Sequence, residues 1–339
     1  MGSVVSREVH IKRAPSGMPT EEDFEIVEVQ IPDPGSGEVL VRNIYMSVDP
    51  YMRGHVLVGR MIDDALGKVM DGGAIGQVVA SNHDAHQVGD YVSSDLGFRE
   101  YFVADGSGHK TVEPGIAPLQ AYLGIAGMPG HTAYSGFLTI GEPKPGETVF
   151  VSGAGGAVGS IVCQIAKIKE CRVVGSTGSD EKVSWLVDEL GVDSAINYKK
   201  VDDLSAELGE HCPDKIDIFF DNVGGDHLEA ALYHMNRFGR IIGCGIISEL
   251  NSTVPLPGPP NLVYLYTQRV KFQGFISSDY SDQLPQFYED MGRWIKEGRV
   301  KWKETILEGI ENAPKAFVGL FRGDNAGKML VKIGPDPAI

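Results

Sequence analysis

Cysteine is scarce in this chain of 339 residues: Cys163, Cys171, Cys212 and Cys244 are all there is, none at a C-x-x-C spacing. That excludes a disulfide framework, and a reduced, cytoplasmic setting is expected. Basic residues are few as well, 30 Lys and Arg against 46 Asp and Glu, for a net charge of −16. Nucleic-acid binding, which needs a basic face to neutralise phosphates, is therefore disfavoured. A small anionic ligand stays compatible, because a local pocket can be positive inside an acidic envelope. No apolar run approaches the roughly 20 residues of a membrane span. Residues 1–10 lack the apolar core of a secretion signal, so no membrane partner is expected.

What is present falls into three stretches. Up to about Met128, short β signals (Glu38–Arg42, Ala74–Val79, Asp90–Val92) are punctuated by Gly and Pro, as in an irregular, mostly β domain. The middle then alternates strand and helix signals, the pattern of a parallel α/β sheet. Strands are expected at Thr148–Ser152, Arg172–Ser176, Ala195–Tyr198, Ile216–Phe220, Arg240–Gly243 and Val270–Phe275, with helices such as Ala157–Lys169 and Glu181–Leu190 between them. Six such strands make a full dinucleotide-binding fold, expected in the order 3-2-1-4-5-6. The Pro-rich run Val254–Pro260 fits neither a helix nor a strand interior and reads as a loop over a ligand. From about Lys301 the pattern returns to strand, helix, strand. The expected division is thus 1–128 with 301–339 as the β-rich domain and 129–300 as the Rossmann domain.

The run Thr148-Val-Phe-Val-Ser-Gly-Ala-Gly-Gly-Ala-Val-Gly159 sets a buried strand directly before a glycine-rich turn and an apolar helix. In that context the helix N-terminus can receive a pyrophosphate on its free N–H groups. The spacing is not the strict G-x-G-x-x-G, since Ala154 holds the first glycine position of a frame ending at Gly159. An NAD site usually carries an acid at the end of strand two, about 20 residues on, for the ribose hydroxyls. Here that strand ends Val173-Val-Gly-Ser-Thr-Gly-Ser179, and Asp180 and Glu181 open a helix, where acids are expected anyway. Lys182 and the hydroxyls of Ser176, Thr177 and Ser179 are instead placed to meet a 2′-phosphate. The expected cofactor is NADPH.

A β-rich domain followed by a Rossmann domain is the medium-chain dehydrogenase/reductase layout, and many proteins of that layout use zinc. Catalytic zinc takes three protein ligands, usually including Cys or His. No cysteine precedes Met128, and His55, His83, His86 and His109 are scattered among Gly, Asn, Asp and Ser, which reads as loop surface. No metal is expected. Without a Lewis acid, a conjugated carbonyl is an easier target than an alcohol: hydride adds at the β carbon while hydrogen-bond donors hold the oxygen.

Four segments together carry a wider resemblance: Ser47-Val-Asp-Pro-Tyr-Met-Arg53, Gly127-Met-Pro-Gly-His-Thr-Ala133, Asp221-Asn-Val-Gly-Gly225 and Gly323-Asp-Asn-Ala-Gly-Lys328. From about Arg42 to Lys332 the chain resembles the zinc-independent prostaglandin reductase family, with its leukotriene 12-hydroxydehydrogenases, plant alkenal double-bond reductases and bacterial curcumin reductases. The resemblance implies a Rossmann doubly wound parallel sheet plus a β-rich GroES-like catalytic domain. It also implies NADPH-dependent reduction of the C=C bond of α,β-unsaturated aldehydes and ketones, 15-oxo-prostaglandin-type substrates among them.

Carried over by position, the resemblance assigns the pyrophosphate to Gly156, Ala157, Val158 and Gly159, and the 2′-phosphate to Lys182 and Tyr198. Asn222 lies near the nicotinamide half. Cys244, Gly245, Ile246, Ile247 and Ser248, with Phe275, Ile276 and Ser277, line the nicotinamide by backbone, and Asn325 closes over it. Several members place a substrate-facing tyrosine where this chain has Thr267; Tyr266 and Tyr264 nearby, and Tyr51 of the Asp-Pro-Tyr-Met-Arg motif, are the catalytic candidates. Each is equally readable as a packed aromatic. Arg53 is readable as a structural ion pair or a substrate contact. The rival functions are an NADPH quinone reductase and a non-catalytic NADPH-binding protein. A homodimer is expected, because strand six should be a sheet edge that needs covering.

Overall fold

The computed structural model describes residues 3–55 and 66–337. The chain divides into two units, Met1–Leu123 with Glu304–Ile339, and Gly124–Lys303.

In the first unit, β1 (Val4–Ile11) and β2 (Phe24–Ile31) form an antiparallel pair with Val4 opposite Ile31. A seven-stranded sheet is built from β3 (Val39–Val48), β4 (Ala74–Ser81), β5 (Tyr91–Ser94), β6 (Tyr101–Ala104), β7 (Lys110–Thr111), β14 (Glu304–Glu308) and β15 (Lys328–Lys332). Strand β3 is its axis. One edge pairs with β4, while β6 takes the first half of the other edge and β15 the second. Paired on both edges and covered on both faces, β3 is buried almost throughout. It runs to Val48, well past the expected Glu38–Arg42, because Asn43 and Ser47 are tolerated inside the sheet: Asn43 Nδ2 donates to the carbonyls of Leu96 and Arg99, both at 2.8 Å. Met46, Val48, Met52, Phe98, Met329 and Val331 then pack with Phe317 of the helix Ala313–Arg322.

The second unit holds a six-stranded, all-parallel sheet of β8 (Thr148–Val151), β9 (Arg172–Thr177), β10 (Ser194–Asn197), β11 (Ile216–Asp221), β12 (Met235–Gly243) and β13 (Lys271–Gly274). Its order, β10-β9-β8-β11-β12-β13, is the expected 3-2-1-4-5-6. Parallel strands covered on both faces read as continuous apolar runs, here Val149-Phe-Val151 and Ile218-Phe-Phe220, and Phe150 stacks on Phe219 at 5.0 Å. The helix Ala157–Ile168 follows β8; Asp180–Ser184 follows β9 and continues through a wide turn over Trp185–Glu189. Strand β12 starts five residues before the expected Arg240. Its first half is polar and distorted, with Phe238 at φ 61 and a register shift against β11 between Ile216 and Ile218, so no apolar run announces it. Residues 254–260 form neither helix nor strand, as their prolines require.

Candidate functional site

In an open α/β sheet, ligands bind beyond the C-terminal ends of the strands, where the order reverses. Here the reversal lies between β8 and β11. The turn after β8 feeds the helix Ala157–Ile168 with Gly156 as N-cap; no side chain caps that end and no acid lies in its first turn. The N–H groups of Ala157, Val158 and Gly159 are thus offered to an anion. Gly159 has to be glycine: a Cβ there would lie 2.4 Å from Gly153 O and 2.8 Å from Ala154 Cα.

The turn is also pressed against the end of β9. A Cβ on Gly155 would lie 2.6 Å from Thr177 Oγ1 and 3.0 Å from Lys182 Cδ. Ser179 caps the next helix, its Oγ accepting from Lys182 N–H at 3.3 Å. From β10, Tyr198 brings its hydroxyl within 3.3 Å, and Lys199 its Cε within 3.1 Å, of where a Gly178 Cβ would stand. Tyr198 and Lys199 therefore flank the Gly178 turn, and Lys182 flanks the glycine turn at Gly155. Asp180, the nearest acid, is taken from outside: Lys200 Nζ pairs with its Oδ2 and Asn197 Nδ2 donates to Oδ1 at 2.6 Å. Behind the turn, Ser176 Oγ is buried with no hydrogen-bond partner among the described residues. The capless helix, the glycine cradle, the two lysines and the diverted carboxylate all fit a dinucleotide with a 2′-phosphate.

Two groups missed by the sequence reading complete this end. Lys199 stands beside Tyr198, and two lysines directly after a third strand are the sequence signal for it. His227, on the helix Gly225–His234, is buried and sets its ring edge-on to Tyr198 at 5.0 Å and 80°. Nothing in its spacing pointed there.

At the other half, Asp221 ends β11 and organises the loops around it. Its Oδ1 accepts from Ser152 Oγ at 2.8 Å and from the N–H groups of Val223 and Gly224 at 3.0 Å each. Its backbone O accepts from Cys244 and Gly245 N–H at 2.8 and 3.0 Å. Burial holds this carboxyl above the ordinary range in spite of those donors. Asn222 donates from Nδ2 to Ser152 O at 2.7 Å, and Gly224 and Gly225 turn the chain into its helix at φ 74 and 49. Ile247 N–H reaches Asn222 O at 3.3 Å and Ser248 Oγ donates to Val223 O at 2.6 Å, while Ile246 lies over Gly224. Cys244 through Ser248 are thereby laced to Asn222 and Val223. Phe275 turns inward, its ring against Phe220 and Tyr280; Ile276 is exposed and Ser277 opens the turn Ser277–Gln283.

The tyrosine candidates part company. Tyr264 packs against the core beneath β11 and β12 and meets the Tyr233 ring at 5.0 Å. Tyr266 stands 80% exposed on the same short helix, Val263–Thr267, and Thr267 Oγ1 is spent on Val263 O at 3.2 Å. Tyr51, in the first unit, is 45% exposed; desolvation, with Asp49 and Asp95 nearby, pushes its pKa up, so it stays a neutral phenol. Arg53 is fully buried and donates from Nη2 to Gly17 O, a structural tie. Asn325 is buried in the first unit, with Nδ2 donating to Gly327 O at 2.7 Å.

The histidines are not all loop surface. His83, His86 and His109 gather with ring centroids 5.1 and 6.2 Å apart, and His86 is buried, because His109 returns on the strand end beside Phe102. No group of three His, Cys, Asp or Glu among the described residues is arranged to hold a metal ion. The side chain of His55 lies outside the described residues. All four cysteines are free, and burial pushes their thiols up, Cys244 to about 12.

With this geometry in place, kinship is decisive. The chain is 42% identical to the 2-alkenal reductase (NADP(+)-dependent) of Nicotiana tabacum over 97% of its own length and 98% of that protein's. It is 43% identical to prostaglandin reductase 1 of Bos taurus over 93% and 95%. This chain belongs to the prostaglandin reductase family of zinc-independent medium-chain reductases. Residues 7–112 match the family described as the N-terminal domain of oxidoreductase, and residues 157–296 the one described as zinc-binding dehydrogenase. The crystal structure of CurA from Vibrio vulnificus in complex with NADPH superposes with a TM-score of 0.91 at 40% identity, covering 97% of this chain and all of that one. No helix among the described residues is long and apolar enough to cross a membrane.

Proposed function

We propose that the protein reduces the C=C bond of α,β-unsaturated aldehydes and ketones with NADPH, without a metal. The observation that carries this reading is kinship over nearly the whole chain with reductases of alkenals and prostaglandins. The cofactor end supports it: Lys199 and Tyr198 flank the Gly178 turn, Lys182 lies against Gly155, and Asp180 is engaged by Lys200.

Bound NADPH would supply a hydride for the β carbon of the substrate. The residues of the chain bind and orient. The N–H groups of Ala157, Val158 and Gly159 receive the pyrophosphate, and Lys182, Lys199 and Tyr198 the 2′-phosphate. The backbone of Cys244–Ser248, laced to Asn222 and held by Asp221, would line the nicotinamide together with Phe275–Ser277, and Asn325 would close over it. Of the three tyrosines, Tyr51 suits the substrate oxygen: its phenol stays protonated and donates a hydrogen bond as negative charge grows there. Water then protonates the α carbon.

The test is NADPH oxidation against a panel of enals, enones and quinones, with cofactor deuterated at C4. Label is expected at the β carbon of the product, and faster turnover of a quinone than of every enal and enone would refute the reading. The reductase works in the cytoplasm as a homodimer on this proposal. The edge strand β13 presents Phe272, and the neighbouring Phe238 lies exposed beneath the Arg269 guanidinium, 5.1 Å from its ring. Sedimentation is expected to give twice the 36.6 kDa chain mass; a monomer at micromolar concentration would contradict the dimer.

A further inference from the structure

Lys328 is among the most deeply buried charges of the first unit, 3% exposed at the start of β15. All three of its N–H donors are used: on Val48 O at 2.7 Å, Asp49 Oδ1 at 2.9 Å and Met329 O at 3.0 Å. The other carboxylate oxygen of Asp49 accepts from Ser47 Oγ, and Asp49 is itself buried. Such a pair is a poor source of stability, because desolvating both charges offsets most of their attraction. What it does achieve is direction.

Asp49 is the last residue before Pro50-Tyr51. From it the chain turns at once, with Met52 N–H on Asp49 O at 3.2 Å, Arg53 N–H on Pro50 O at 3.0 Å and Gly54 N–H on Tyr51 O at 2.9 Å. Pro50 locks its own φ, so the heading of Tyr51 is set by how Asp49 is held. Gly73, whose backbone lies near enough to act on the Tyr51 phenol, belongs to the same block, its O accepting from Ser47 N–H at 2.8 Å. The backbone that carries Tyr51 is thus referenced to the strand end that Lys328 clamps.

We propose that Lys328 is a positioning residue for the reduction, acting through Asp49 to aim the Tyr51 hydroxyl at the substrate oxygen. This rests on the reading of Tyr51 as the donor to that oxygen. The experiment compares Lys328→Met, the double variant Asp49→Asn/Lys328→Met, Tyr51→Phe, and Tyr51→Phe combined with the double variant. It measures kcat and KM with a simple aryl methyl enone, NADPH affinity by fluorescence, and Tm. Lys328→Met strands a buried carboxylate and is expected to lower Tm; the double variant removes both charges and restores Tm.

The double variant is expected to keep its NADPH affinity yet lose about 10- to 100-fold in kcat, the scale of an ångström-level misplacement. Adding Tyr51→Phe to it should then cost no more than about twofold further, because the hydroxyl is already misdirected. Return of kcat together with Tm in the double variant would overturn the proposal, leaving Lys328 a structural part. Multiplying losses would overturn it as well. Full kcat in Tyr51→Phe alone would refute the reading of Tyr51 itself, and the proposal with it.

Discussion

His227 offers a measurable consequence of burial beside Tyr198. Its ring is 4% exposed, edge-on to Tyr198, and its Nε2 has no hydrogen-bond partner among the described residues. Burial pulls the imidazole down to about 4, against a smaller upward pull from Asp226. In the unfolded chain the same group titrates near 6.5. The gap of about 2.5 units at roughly 1.4 kcal/mol each corresponds to about 3.5 kcal/mol. The sign follows from which state takes the proton. Above pH 6.5 the ring is neutral folded and unfolded, and stability is unaffected. As pH falls from 6.5 towards 4 the unfolded chain binds a proton that the folded chain refuses, so stability is lost across that window, and below it no more is lost. Carboxylates titrate in the same range, so the quantity to read is a difference. Urea unfolding of the wild type and of His227→Leu should be followed from pH 8 to pH 4. The wild type is expected to lose about 2 to 3 kcal/mol more than the variant between pH 7.5 and pH 4.5. A difference that stays flat across that interval would show that the buried ring takes up its proton without cost, and the argument would fail.

Three further outcomes follow from the site. Lys182→Ala and Lys199→Ala should each weaken NADPH binding about tenfold or more, the worth of a charge-assisted hydrogen bond, while leaving NADH affinity nearly unchanged; equal losses for both cofactors in fluorescence titrations would refute the 2′-phosphate assignment. Gly159→Ala places a Cβ 2.4 Å from Gly153 O and should cost about 1–3 kcal/mol of stability along with most of the dinucleotide affinity. Unaltered NADPH affinity in that variant would show that the turn does not hold the pyrophosphate. Exhaustive dialysis against a chelator should leave kcat unchanged, and activity lost to chelation and restored by zinc would overturn the metal-free reading.

The sheet of the second unit was open to reading because each β-α step there is local. Thr148–Val151, the glycine turn and the helix Ala157–Ile168 are consecutive, and parallel strands buried on both faces leave unbroken apolar runs. The same locality exposed the empty carboxylate position after β9. Where function depends on residues far apart in the chain, the signal was absent. His227 and Tyr198 lie on different strand–helix units, and a histidine two residues into a helix looks like any surface residue until the turn at Gly224 and Gly225 swings it inward. Lys328 and Asp49 are separated by 279 positions, and each was visible only as a member of a motif. Locality also explains why the tyrosines could not be ranked from sequence: Tyr264, Tyr266 and Tyr51 all sit beside plausible ligand segments. Only packing separates a ring held against Tyr233 from one in solvent and from one half exposed beside Asp49. The glycine turn with its strand and helix is therefore written in consecutive residues. The contacts of Lys328 with Val48 and Asp49 join residues far apart in the chain, and no run of consecutive residues announces them.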